Sequence, residues 1–115
     1  GRKARTIGRP VAGKTGTSNS YRDALFVGFA PSIATGVWVG NDNGSTLGDR
    51  ETGARTALPI WIEFMTAGVA QRPHQYFDIP DDVVQVRIDL DSGKRASDNS
   101  PNAVSALFKK GTEPQ

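Results

Sequence analysis

Cysteine is absent from the 115 residues, and histidine and methionine each occur once. Without thiolates there is no disulfide framework and no cysteine-ligated metal site, and the redox compartment is left open. The one histidine, His74, stands beside Pro73 away from any acidic cluster and reads as a solvated loop residue, so neither a metal nor another cofactor is expected. Long apolar runs are also missing. Nothing approaches the ~18 residues needed to cross a bilayer. Nor does a signal-like apolar core follow the basic start, so the chain is expected to carry no membrane anchor of its own. Acid is missing from the beginning: Arg2, Lys3, Arg5, Arg9, Lys14 and Arg22 all precede the first carboxylate, Asp23. No aromatic residue interleaves these cations before Tyr21, which argues against a nucleic-acid surface and for a solvated basic segment.

What is present describes one modest core. With 37% hydrophobic and 23% charged residues, the composition is that of a globular domain or a piece of one. Pro10 bars the preceding residue from helix, and glycines alternate with Thr15 and Thr17, so Pro10–Ser18 reads as an irregular edge strand. After a turn at Ser18–Asp23, the unbroken run Ala24–Ala30 predicts a strand buried on both faces. Pro31–Ile33 reverses the chain, and Thr35–Gly40 repeats the pattern, which predicts an antiparallel hairpin. Phe29 and Trp38 are read as core.

Residues 41–56 are polar and rich in glycine and predict a long surface loop, of the kind that is often functional. Its acids, Asp42, Asp49 and Glu51, lack the spacing of a calcium loop. Beyond it, Leu58, Trp61, Ile62, Met65 and Val69 recur at helical spacing with Ile60, Phe64 and Ala67 beside them. That pattern predicts a helix buried over most of its circumference, opened by Pro59 in its first turn and ended before Pro73. Val84, Val86, Ile88 and Leu90 alternate with polar residues as in a half-exposed strand, and Asp91–Lys94 is a turn able to fold it back. From Ser97 the chain turns polar and is expected to fray, with Ala103–Phe108 as a short amphipathic helix. The class is α/β.

Residues 8–18, GRPVAGKTGTS, match two chemical motifs. From Gly8 they read G-x-x-x-x-G-K-T, a phosphate-binding loop; from Lys14 they read K-T-G-T, a strand of penicillin-recognising acyltransferases. A phosphate loop must leave a buried strand and open a helix. Here the upstream segment is short and polar, and the downstream segment runs through a turn into a strand. The flanks favour K-T-G-T.

Taken together, Val11–Met65 resembles the C-terminal half of the transpeptidase domain of class A, bifunctional penicillin-binding proteins, and Phe77–Ser97 resembles the segment that follows it. The resemblance implies a partial β-lactamase/transpeptidase-like fold over residues 1–76 and a hairpin with a polar tail over 77–115. It implies a peptidoglycan stem peptide ending in D-Ala-D-Ala as substrate and β-lactams as acylating mimics. Lys14 would supply positive charge at the reaction centre, and Gly16 would let the substrate backbone lie against the strand. The Thr17 N–H would face the oxyanion, and the Thr15 and Thr17 hydroxyls, with Ser18 beside them, would hold the substrate. The family's S-x-x-K and S-x-N motifs lie upstream of K-T-G, and neither occurs in the thirteen residues before Lys14. The chain is therefore expected to be an inactive C-terminal fragment of a membrane-anchored enzyme facing the periplasm, with the rest of that protein as its natural partner. Alone it is expected to self-associate through Ile33–Gly40. The alternatives are a non-catalytic interaction module and, behind it, a phosphate-loop nucleotide-binding protein.

Overall fold

The computed structural model describes residues 2–115, which divide into two compact units, one ending at Phe77 and the other beginning at Asp78. In the first, a 3-10 turn (Arg2–Ile7) leads into strand β1 (Ala12–Thr17), and a second short turn (Asn19–Tyr21) leads into β2 (Asp23–Ala30). Strand β3 (Ile33–Gly40) follows, then a loop, a π-helical turn (Gly53–Ala57) and helix α1 (Leu58–Ala70). The sheet order is β1-β2-β3, antiparallel throughout. The hairpin read from the sequence is present, reversing at Pro31 and Ser32.

The helix packs on one face of this sheet. Trp61, fully buried, sits 4.8 Å from the ring of Phe26 and donates its indole N–H to the Thr35 carbonyl at 3.0 Å. Close approach is possible because position 28 is glycine: a Cβ there would lie 2.6 Å from the Trp61 ring and 2.8 Å from the Ala12 carbonyl. Ala24, Phe26 and Ala30 of β2 meet Leu58, Trp61, Met65 and Val69 of α1 in the core. Met65 also receives the Thr35 hydroxyl on its sulfur at 3.4 Å.

Three expectations are corrected by this one-sided packing. Strand β2 is buried on the helix side alone, because no other element of this unit covers the opposite face, where Val27 is 58% exposed. Phe29 and Trp38 belong to that open face rather than to the core: Phe29 stacks edge-on against Phe77, and Trp38, 57% exposed, hydrogen-bonds Asp23. Helix α1 buries a single stripe, leaving Ile60, Phe64 and Ala67 in the open. The apolar pattern is wider than the surface this unit can cover.

The second unit is a two-stranded antiparallel sheet, β4 (Val83–Asp89) and β5 (Ala103–Lys109). Ala103–Phe108 is thus a strand and not the expected helix or frayed tail. Six residues make a poor isolated helix, whereas Val104, Ala106 and Phe108 find Ile88, Val86 and Val84 directly across the ladder. The turn at Asp91–Lys94 does fold back, with the Asp89 N–H on the Lys94 carbonyl, but it makes only the single bridge Ile88–Arg95 before the chain moves on to β5. Near the end, the Glu113 carboxylate accepts its own N–H and that of Gly111, which lowers its pKa.

Neighbouring helix positions on opposite faces test the one-sided core. Met65→Ala is expected to cost about 2–5 kcal/mol in denaturant unfolding, because a fully buried side chain leaves a cavity. Phe64→Ala, at a position 55% exposed, is expected to cost less than about 1 kcal/mol. Equal losses at both would show that the outer face of α1 is also buried.

Candidate active site

The site read from the sequence lies on β1, which pairs with β2 and leaves its other edge open among the described residues. The turn after it fixes which backbone groups face that edge. Ser18 N–H donates to the Asp23 carbonyl at 3.0 Å, and Asp23 N–H donates back to Ser18 Oγ at 2.8 Å. Hydrogen-bonded pairs alternate in an antiparallel ladder. Counting back from Ser18, Gly16 and Lys14 turn their backbone toward β2, while Thr17 and Thr15 present N–H and C=O to the open edge.

Side chains alternate at right angles to that pattern. Thr15 and Thr17 share the helix-side face with Phe26 and Ala24, their partners across the ladder; Lys14 and Gly16 share the opposite face with Val27 and Leu25. Lys14 nevertheless reaches the edge. Its ammonium donates to the edge-facing Thr15 carbonyl at 3.1 Å. An ammonium and two outward N–H groups therefore lie along one exposed strand edge, an arrangement suited to a carboxylate and to a carbonyl oxygen gaining charge.

Thr17 has a further partner. Its Oγ1 accepts the N–H of the buried Gly53 at 3.0 Å, joining the strand to the π-helical turn that precedes α1. With that acceptor position filled, the hydroxyl proton is left to donate elsewhere. Gly53 sits so close to the β1–β2 ladder that a Cβ would run into the Gly16 and Leu25 carbonyl oxygens. The turn itself is tied down: Thr52 Oγ1 accepts from Arg55 N–H at 3.3 Å, and Glu51 accepts the Thr56 hydroxyl and lies 3.6 Å from Arg55 Nε. Residues 53–56, read from the sequence as the end of a loop, are thus helical. The overlooked signal was Thr52, a residue type that caps helices.

The link from β1 to β2 is also constrained. Ser20 and Tyr21 both adopt left-handed backbone, at φ 58° and 52°, unusual for consecutive non-glycine residues. The Tyr21 carbonyl receives the Leu47 N–H at 2.8 Å, which pins the following long loop to this corner. Ser18 is engaged here through both N–H and Oγ, so its first role is to close the turn.

The same geometry removes the phosphate-loop reading. Lys14 and Thr15 lie inside a strand, and only a three-residue turn follows, so no helix N-terminus faces them. Ser97-Asp98-Asn99 also matches S-x-N, but it lies in the second unit, where Ser97 and Ser100 bond one another to close a turn.

Comparison with known proteins identifies the family to which the chain belongs. Residues 79–115 match the family model described as penicillin-binding protein 1A, C-terminal domain. Penicillin-binding protein 1A of Aquifex aeolicus is 44% identical over 113 residues, covering 98% of this chain and 15% of that protein. The protein of the same name from Pseudomonas aeruginosa is 41% identical over 95% of this chain and 13% of its own length. A crystal structure of penicillin-binding protein 1A from Haemophilus influenzae superposes with a TM-score of 0.85 at 34% identity, over 99% of this chain and 17% of that one. The chain is a segment of a penicillin-binding protein. It belongs to the penicillin-binding protein 1A family and spans about a seventh of the length of the curated relatives it matches.

The link between Thr17 and Gly53 can be checked directly. Thr17→Val keeps the side-chain shape but strands a buried N–H, at an expected cost of about 1–3 kcal/mol with faster amide exchange at Gly53. Thr17→Ser retains the acceptor and is expected to keep Gly53 protected. Unchanged exchange in the valine variant would mean that the amide has another partner.

Proposed function

We propose that this chain is the K-T-G-bearing part of a peptidoglycan D,D-transpeptidase, with residues 1–76 closing a β-lactamase/transpeptidase-like domain and 77–115 following it. The observation that carries the reading is the open edge of β1, which the Lys14 ammonium reaches through the Thr15 carbonyl and toward which the Thr17 N–H is turned. In a serine acyl transfer, the Thr17 N–H is one donor to the tetrahedral oxyanion. The Thr15 and Thr17 hydroxyls and Lys14 attract the terminal carboxylate of a D-Ala-D-Ala stem peptide or of a β-lactam. Gly16 keeps side chains out of the way of the substrate backbone, and Ser18 holds the end of the strand. Lys14 also favours proton movement through hydroxyls that another segment brings.

The nucleophile belongs to that other segment. No S-x-x-K occurs in these 115 residues, and the curated relatives are several times longer. In this reading the complete protein is membrane-anchored and faces the periplasm, and its remaining part is this chain's first partner. Among the described residues, no helix is long and apolar enough to cross a membrane.

A fluorescent penicillin is expected to leave this chain unlabelled while labelling the complete protein at a serine outside it. Lys14→Ala in the complete protein is expected to slow acylation by roughly two orders of magnitude or more, the scale seen when a charge-stabilising group is lost from an acyl-transfer site. Labelling within residues 1–115, or an unchanged rate without the Lys14 ammonium, would overturn the assignment.

Isolated, the chain is expected to associate with itself. Strand β3 has a partner on one side only, and Val27, Phe29 and Trp38 lie exposed on the adjoining face. Open apolar edges of this kind recruit further strands. A two-fold dimer joined through Ile33–Gly40 is the simplest product. Sedimentation over a wide concentration range reads this out; a monomer throughout, with slow amide exchange along Ile33–Gly40, would refute it.

A further inference from the structure

We infer that Gly53 is a positioning residue for acylation, setting the Thr17 hydroxyl and N–H through the backbone contact between the π-helical turn and β1. The inference rests on the transpeptidase reading and adds to it a residue outside the K-T-G-T motif. A threonine hydroxyl has one proton and two acceptor positions, and its rotor is free unless a partner fixes it. Here the partner is a main-chain N–H. By filling an acceptor position at 3.0 Å, Gly53 excludes that direction for the hydroxyl's own proton and leaves it to be donated, as an anion requires. A carboxylate can only accept hydrogen bonds, so a hydroxyl already committed as an acceptor to the protein is presented to it in the useful sense.

Glycine at this position is required by space. The Gly53 backbone lies against the rungs of the β1–β2 ladder, and a Cβ would meet the carbonyls of Gly16 and Leu25, the cross-strand pair next to Thr17. Relief of that overlap would push the turn away from β1 or displace β1 itself. Either movement stretches the bond to Thr17 Oγ1, and movement of β1 also shifts the Thr17 N–H. The rest of the turn resists such movement, through the Thr52 cap on Arg55 and the contacts of Glu51 with Thr56 and Arg55. Gly53 is thus held from behind while it holds Thr17.

The test uses the full-length penicillin-binding protein that contains this segment, with a fluorescent penicillin as probe. Two quantities are read separately: the fraction of molecules that can be titrated to completion, and the acylation rate constant of that fraction. Gly53→Ala is expected to slow the rate constant about tenfold to a hundredfold, as small displacements of a catalytic group do. Thr52→Ala, which loosens the turn without adding bulk, is expected to slow it a few-fold. A residue needed only for folding would lower the titratable fraction and leave the rate constant unchanged, and that result for Gly53→Ala would overturn the inference. If Gly53→Ala yields no titratable protein, Thr52→Ala decides: a slower rate constant supports the role, and a wild-type one overturns it. Lys14→Ala in the same series separates the two levels. If it acylates at the wild-type rate, the reading of the strand itself fails; if it is slow while both turn variants match wild type, only the role of Gly53 fails.

Discussion

The seat of Trp61 on Gly28 is the contact on which the first unit depends. It brings the axis of α1 close enough for Leu58, Met65 and Val69 to reach the sheet, and the indole N–H on Thr35 ties the helix to β3 as well as β2. A side chain at position 28 would lift the helix and remove several buried contacts together. Because one helix can cover only one face, the same contact decides which apolar residues become core and which remain exposed.

It also governs the candidate site. The π-helical turn runs directly into α1, so the depth at which the helix is seated sets how closely Gly53 approaches β1. Ala57 and Leu58, buried at the junction, leave the turn little freedom to slide. The polar end of the strand is therefore positioned by an apolar core on the neighbouring elements. In the proposed acyl transfer, such rigid support of the strand edge matters because donors must be in place before charge develops.

Much of this was legible in the sequence, for identifiable reasons. Strands β1–β3 announce themselves by glycine alternation and by two apolar runs around a proline turn, and the spacing of Leu58, Trp61, Met65 and Val69 defines α1. The K-T-G-T motif was separable from a phosphate loop because helix-opening residues do not follow it. Burial was misread wherever apolar residues outnumber covering elements. Phe29, Trp38, Ile60 and Phe64 are hydrophobic enough for a core, but composition does not say whether anything lies against them. Strand β5 was misread for a different reason: its partner, β4, is distant in sequence, and cross-strand pairing outweighed a weak helical pattern over six residues.

The exposed apolar residues then have a common meaning. Val27 on β2 and Trp38 on β3 are large and lie on the same sheet face as Lys14 of β1. A solvated surface would gain nothing from such a cluster, whereas a chain that forms about a seventh of its relatives' length has ample sequence elsewhere to lie over it. Covering this face would also change Lys14. Its ammonium rests on the Thr15 carbonyl in an exposed setting, where water screens its charge. Beneath a covering segment, the same charge would act at lower effective dielectric, which in the transpeptidase reading strengthens its pull on the substrate carboxylate. Completion of the core and activation of the strand edge would then be consequences of one packing event, with the open sheet face as the link between stability and chemistry.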